Sequence, residues 1–409
     1  MRLFYNASKG HPRLFADKKE FERLIALAET DVFYHELKEK IFFSSDHIPD
    51  ELLKPDGNSI LNMARELKRR VMLLAFSYRF TNHKEYARKC LKYILSVCIN
   101  GESGLKDWNH HHFLDTAEMT SAVSVGYDWI YELLSDEDKK TIEETVLKWG
   151  IAPALATYRW YYDNGAKPPF HEKDFIRNGW VNCNHNWNFV CNGGIATGAY
   201  CFYDKFPDEA EYCIESTLKS LPKALISFAP DGSWGEGVIY WRYAVDYFTE
   251  FLAVSQSVLG TTFGLEKYPG ISETWKFPVY LKGANDKVFN YSDSPDLYGH
   301  GPEMLYFAKI FQKNEIASFR TTGLSDTATV KDMLWYQPVH KKCELALDQY
   351  YPGDEIVILR SGFDDDSLFL GIKAGENAVN HGDLDAGSFV LDLKGVRWIC
   401  DLGKDDYGL

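Results

Sequence analysis

Four short segments of this 409-residue chain gather side chains able to move protons or grip a polar ligand. The first, "DWNHHHFLDTAEM", places Trp108, Asn109, His110, His111, His112, Asp115 and Glu118 at a helix start. Successive helical positions point about 100° apart, so the three histidines cannot converge on one metal. This entry reads either as a polar helix start capped by Asp115 and Glu118, or as a substrate-lining wall built on Trp108, His112 and Asp115. The second segment, "NCNHNWNFVCNGG", crowds Asn184, His185, Asn186, Asn188 and Asn192 around another helix start. One asparagine can cap a helix, but capping does not need five. His185 and Asn188, three apart, would share a helix face and form a polar ligand site; a buried Asn-rich cap is the competing reading.

The third segment, "APDGSWGEGVIYWRY", runs from a turn through Trp234 and Glu236 into a helix carrying Tyr240, Trp241, Arg242 and Tyr243. Its glycines permit close approach of backbone or ligand. The fourth, "HGDLD", holds His381, Asp383 and Asp385 between two strand-like runs. Together the four supply neutral amides, two imidazoles and a phenol, groups suited to general acid–base chemistry. A glycosidase would need a carboxylate pair, for which Asp115, Glu118 and Glu236 are the candidates. No nucleophile elbow, phosphate-binding loop or dinucleotide fingerprint is present in the sequence.

The elements that must position these residues change character along the chain. From about residue 17 to 320 the apolar period is helical. Ile60, Ala64, Leu67, Val71, Leu74, Ala75 and Tyr78 follow a 3,4 spacing, and Ala87, Cys90, Leu91, Ile94, Val97 and Cys98 repeat it after "FTNHKE". Ser135 to Asp138 reads as a capping box, and Ile214, Leu218, Leu221 and Leu225 mark a further helix. Helices of similar length joined by short turns suggest stacked antiparallel pairs in an irregular helical barrel. After Pro338 the runs "DEIVILRSG", "DSLFLGIKAG", "SFVLDL" and "VRWICDL" read as about four antiparallel strands, the last two joined by a hairpin at Lys394-Gly395. The expectation is a helical domain over 1–340 followed by the start of an antiparallel β domain over 341–409, whose sheet is incomplete as written.

Composition bounds the function. The net charge of −14 argues against a nucleic-acid or anionic-membrane surface, but leaves room for a locally basic cleft and an anionic substrate. Aromatic residues make up 15% of the chain, enough to pave a sugar-binding cleft or simply to fill a large core. Eight cysteines show no metal-binding spacing, and most of them read as buried thiols. With no leader ahead of "MRLFYNASKGHPRLF" and no membrane-length apolar run, the sequence as written reads as cytoplasmic; periplasmic or secreted is the alternative if a leader has been removed.

These motifs carry a family resemblance. "HPRLFADKKEFERL", "FLDTAEMTSAVSVGYDWIY", "WNFVCNGG", "PDGSWGEGVIYW" and "HGDLDAGSFVLDLKGVRWICDLG", in this order and over nearly the whole chain, resemble the heparinase II/III-like polysaccharide lyases. The resemblance implies an N-terminal (α/α) helical toroid followed by an antiparallel β-sandwich domain, with the cleft between them. It implies β-elimination on a polysaccharide containing uronic acid, most simply a glycosaminoglycan, with alginate as the other substrate class. By position, His185, Tyr240 and His381 match the family's catalytic residues, and Asn188 matches a residue that meets the uronate carboxylate. Asn184, Trp234, Glu236, Arg242, His112, Asp115 and Trp108 are the expected substrate-binding neighbours. No cofactor is required by this chemistry. Some relatives of heparinase II type hold a structural zinc beside this loop, and Asp383 and Asp401 are the matching candidates for zinc or another divalent cation; turn formation accounts for Asp383 equally well. The expected partner is an anionic polysaccharide or oligosaccharide, with a homodimer left open. A glycoside hydrolase on the same toroid and a non-catalytic carbohydrate-binding relative are the competing readings.

Overall fold

A computed structural model describes residues 3–55, 60–163, 176–322, 327–339 and 343–404. The expected domain boundary at 340/341 lies outside the described residues. Helices run from α1 (Lys18–Thr30) and α2 (Val32–Asp46) through α3 (Leu61–Thr81), α4 (Lys84–Ser96), α5 (Phe113–Ile130), α6 (Asp136–Thr145) and α7 (Ala152–Tyr162). They continue with α8 (Asn186–Phe202), α9 (Pro207–Ser220), α10 (Pro222–Leu225), α11 (Val238–Leu259) and α12 (Lys276–Leu281). Three short helices, α13 (Glu303–Ile310), α14 (Ser318–Thr321) and α15 (Val330–Trp335), complete the helical part.

Local signals explain several boundaries. Asn82 in the left-handed conformation ends α3, and the Ser135–Asp138 capping box opens α6 as the sequence suggests. Leu221 and Leu225 do not continue the helix of Ile214 and Leu218: Pro222 removes an amide donor, so α9 stops at Ser220 and α10 begins afresh.

Helices α3, α5, α8 and α11 pack side by side in that order. Helix α13 contacts α11, α15 contacts α13, and α15 returns to α3, closing a ring of inner helices. Every residue of α5 is buried, and so is every residue of α8 except Trp187, because both lie inside the ring rather than on its surface. Two glycines let them fit. A Cβ at Gly194 of α8 would sit 2.3 Å from the Ala117 carbonyl oxygen of α5, and one at Gly193 would sit 2.9 Å from that of Tyr247 in α11. Helices α4 and α9 bury one face each, against α3 and α8.

The chain then forms an antiparallel five-stranded meander in the order β1 (Gln349–Tyr351), β2 (Ile356–Arg360), β3 (Phe369–Lys373), β4 (Phe389–Leu393) and β5 (Val396–Ile399). Four of these are the strands read from sequence; β1 is an addition. Lys394 and Gly395, both at positive φ, turn the last hairpin. One face of the sheet is seated on the 280–291 segment through buried ionic groups. Arg360 donates to the carbonyls of Tyr280 (2.6 Å) and Lys282 (3.0 Å). Arg397 pairs with Asp392 at 2.7 Å and donates to the Val288 carbonyl. The architecture is therefore a helical toroid followed by an antiparallel β domain, docked so that the β3–β4 connection reaches back over the start of α11.

Candidate active site

The β3–β4 connection is pinned at several points. Asp385 accepts from the Ser292 amide at 2.8 Å, the Asp293 amide donates to the His381 carbonyl at 3.2 Å, and Asn380 donates to Glu236 at 2.6 Å. His381 itself adopts φ +58°, a left-handed conformation that a non-glycine residue holds only when its surroundings impose it. The result is a fixed imidazole. Its Nδ1 lies 2.6 Å from Asp293 Oδ2, its Nε2 lies 3.8 Å from Glu236 Oε1, and its face stacks on the Tyr240 ring with centroids 3.7 Å apart and planes at 11°.

Tyr240 stands in the first turn of α11, which begins after Gly237 at φ +82°. A Cβ at Gly237 would meet the Ser294 hydroxyl at 2.3 Å, so a glycine is needed for the helix to start this close to the 291–294 loop. Tyr240 lines a cleft of about 1070 Å³ between the toroid and the end of the β domain. Arg65, Arg242, Lys287, Lys331 and Lys404 bring positive charge to its wall, and Asp246, Asp293, Asp296 and Asp401 bring negative charge. Arg242 donates to the Gly299 carbonyl at 3.2 Å and, among the described residues, has no carboxylate within ion-pair distance. Arg65 stacks over Tyr243 and pairs with Glu118 at 3.0 Å.

His185 precedes α8 as its N-cap residue, with extended backbone and no capping bond from its side chain. Its Nδ1 is buried without a hydrogen-bond partner. Burial first, and the nearby His381 second, push its pKa down to about 4, so this imidazole is neutral near pH 7.

Other sequence candidates are placed elsewhere. Asn188 is fully buried: its amide donates to the Trp180 carbonyl (3.0 Å) and the Ser220 hydroxyl (3.0 Å). Asn192 joins the same network through Ser220 and Tyr158. The structure therefore does not bring Asn188 to the cleft. The shared-face argument assumed that both residues were helical, whereas His185 sits outside the helix. Trp108 is buried, donating to the Val97 carbonyl, and Trp234 is buried with its indole N–H on Glu236. Asp115 is also buried, accepting from the Ile60 amide, Asn109 and His112. His112 remains partly exposed and meets Trp187 edge-on at 5.0 Å, and Asn184 is exposed.

Glu236 is buried and each of its oxygens accepts twice. Oε1 takes Asn186 Nδ2 (2.7 Å) and Asn380 Nδ2 (2.6 Å); Oε2 takes the Asn186 amide (2.9 Å) and Trp234 Nε1 (3.1 Å). Burial raises its pKa, with the Asn380 and Asn186 donors and His381 opposing. A proton on this carboxylate would displace one of four donors, so the group serves as an anchor joining the start of α8, the approach to α11 and the β3–β4 connection.

Asp383 is exposed, while Asp401 accepts from the Ser388 hydroxyl at 2.5 Å and the Gly403 amide at 2.8 Å. Among the described residues no group of three or more His, Cys, Asp or Glu could hold a metal ion. Nor is any helix among them long and apolar enough to cross a membrane.

Two site residues escaped the sequence reading. Asp293, within "NYSDSPDL", looks like turn composition, and its partner lies 88 positions away. Asn380 adjoins a singled-out histidine but carries no spacing signal of its own.

No family model and no curated protein matches the chain, but solved structures do. A mutant heparan sulfate lyase from Pedobacter heparinus aligns at 16% identity and TM-score 0.51, over 91% of this chain and 57% of that one. A heparinase III structure aligns at 14% identity and TM-score 0.55, over 87% and 52%. The chain therefore has the fold of the heparinase II/III-like polysaccharide lyases and spans little more than half the length of these two proteins.

Proposed function

We propose that the protein is a polysaccharide lyase that cleaves a chain containing uronic acid by β-elimination. Its substrate on this reading is a glycosaminoglycan of the heparan sulfate, hyaluronan or chondroitin type. The observation that carries the reading is Tyr240 at the wall of a large cleft with cationic side chains, its ring stacked on the His381 imidazole that the β domain supplies. The likeness in fold to heparan sulfate lyase and heparinase III supports it.

The roles follow from the chemistry. Removing the C5 proton of a uronate places charge on the adjacent carboxylate, so hydrogen-bond donors there lower the barrier. His185, held neutral, supplies an N–H to that carboxylate. His381 takes the C5 proton at Nε2. As the C4–O4 bond breaks and the C4–C5 double bond forms, Tyr240 gives its proton to the departing oxygen. Arg242 is the cation available to a carboxylate or sulfate on a neighbouring sugar.

Hydrolysis fits less well. The carboxylates that the sequence motifs offer for it are Asp115, Glu118 and Glu236, and all three are buried in hydrogen bonds to protein donors. The test is incubation with heparan sulfate, hyaluronan, chondroitin sulfate and alginate in separate cells, followed by the ultraviolet absorbance of the conjugated uronate. A rise on one glycosaminoglycan, lost in Tyr240→Phe, supports the proposal. A rise on alginate alone moves the substrate. A flat trace on all four, with saccharide binding retained, favours a non-catalytic relative.

A further inference from the structure

We propose that the groove at Tyr240 continues past Tyr243 into a second, more cationic chamber, where Arg65 and Arg69 bind sulfate or carboxylate groups of sugars beyond the reacting one. The inference rests on the lyase reading for the nature of the chain, but its structural basis is separate. A second cavity of about 550 Å³ shares Arg65, Tyr243, Asp246, Thr329 and Lys331 with the cleft already described. The shared residues form the waist of one groove that follows α11. Tyr240 lines the first chamber, Tyr243 both and Tyr247 the second, a step of about 10 Å along the helix axis.

The charge of the lining changes along this path. Among the described residues, the second chamber has four cations, Arg65, Lys68, Arg69 and Lys331, against two carboxylates, Glu118 and Asp246. The first has five cations against four carboxylates. Burial then separates the four cations. Lys68 is 8% exposed and pairs with Glu250 at 2.7 Å, and Lys331 is 9% exposed and pairs with Asp246 at 2.6 Å; both hold helices together. The side chains of Arg65 and Arg69 are 44% and 51% exposed, and they stand four apart on α3, one turn from each other on the same face.

Arg65 is the better placed of the two. Its Nε donates to Glu118 at 3.0 Å, and its guanidinium lies over the Tyr243 ring, 4.7 Å from the centroid. Glu118 also accepts from the Tyr243 hydroxyl, so the brace is itself fixed. A guanidinium held at Nε and stacked on a ring keeps its outer edge toward the groove, and that edge matches two oxygens of a sulfate or carboxylate. Arg69 is forked onto Glu66 through Nε and one η nitrogen, so it adds charge with fewer donors to spare. An anionic sugar chain running from Tyr240 along α11 therefore meets Arg65 at the waist and Arg69 one turn of α3 away.

The experiment measures binding of a size-defined heparan sulfate tetrasaccharide and octasaccharide by calorimetry, in a Tyr240→Phe background so that no chain is cut. The octasaccharide is expected to bind more tightly. Adding Arg65→Gln lowers its affinity about 10–100-fold, and Arg65→Lys, which keeps the charge without the fork, restores part of it. Arg69→Gln lowers octasaccharide affinity by a smaller factor and leaves the tetrasaccharide unaffected; its exposed position keeps the test open if Arg65→Gln does not fold. A desulfated octasaccharide identifies the group read: an Arg65 effect lost on it assigns sulfate, and one retained assigns the uronate carboxylate. An octasaccharide bound no more tightly than the tetrasaccharide overturns the proposal, as does octasaccharide affinity unchanged by the Arg65 and Arg69 variants. If the protein with Tyr240 intact cleaves no polymer, the lyase reading falls, and the same affinities still decide the second chamber.

Discussion

The imidazole of His381 and the phenol of Tyr240 lie face to face, 3.7 Å between centroids, although 141 positions separate them in the sequence (381 − 240). The contact exists because the β3–β4 connection is held over the start of α11 by Glu236, Asp293 and Asp385. Each is a buried carboxylate accepting from the opposite side of the domain junction. Domain docking and site assembly are therefore one event, and substitutions at the junction should affect both.

Glu236 offers the sharpest case. Glu236→Gln places an amide NH₂ against donors it cannot accept from, leaving buried N–H groups of Asn186, Trp234 or Asn380 unpaired at about 1–3 kcal/mol each. The expected outcome is a lower midpoint in chemical denaturation as well as lower activity. If Glu236 were instead a hydrolytic acid, the variant would keep its stability and lose only turnover.

Asn188 separates a structural role from a binding one. Asn188→Ala removes the donor to Trp180 and Ser220 and is expected to cost about 2 kcal/mol of stability while leaving KM for an oligosaccharide unchanged. A large rise in KM at unchanged stability would return this residue to the cleft, as its match to a carboxylate-binding position suggested.

Acid should weaken the fold in a defined window. Burial lowers the pKa of both His185 (to about 4) and His300 (to about 3) from the ordinary value near 6.5. Between about pH 6.5 and 4 the unfolded chain therefore binds protons that the native protein does not. The contribution is present in full above pH 6.5 and is lost as pH falls toward the native values. For His185 alone the loss is about 3 kcal/mol. Thermal melts across this range should show a falling Tm, with a shallower slope in His300→Asn.

Much of the fold is legible in the sequence because periodicity reports one-sided burial. Ile60, the N-cap of α3, and Ala64, Leu67, Val71, Leu74, Ala75 and Tyr78 on it are all buried, and the four runs after Pro338 are strands β2–β5. Strand β1 is three residues long, begins with glutamine and alternates weakly, so only pairing with β2 makes it a strand. The site is less legible. His185, Tyr240 and His381 stand in motifs, but whether an asparagine or tryptophan faces the cleft or the core depends on tertiary packing. Asn188 went to the core because α8 is buried nearly all round, which leaves no polar face for periodicity to mark, and Trp108 and Trp234 lie in the loops before α5 and α11, where there is no period to read.

The most direct test is the mass of the products from a defined glycosaminoglycan oligosaccharide. Elimination adds no water, so the two product masses should sum to that of the substrate, with the new non-reducing end unsaturated. A sum that exceeds the substrate by one water would mean hydrolysis and would contradict the account.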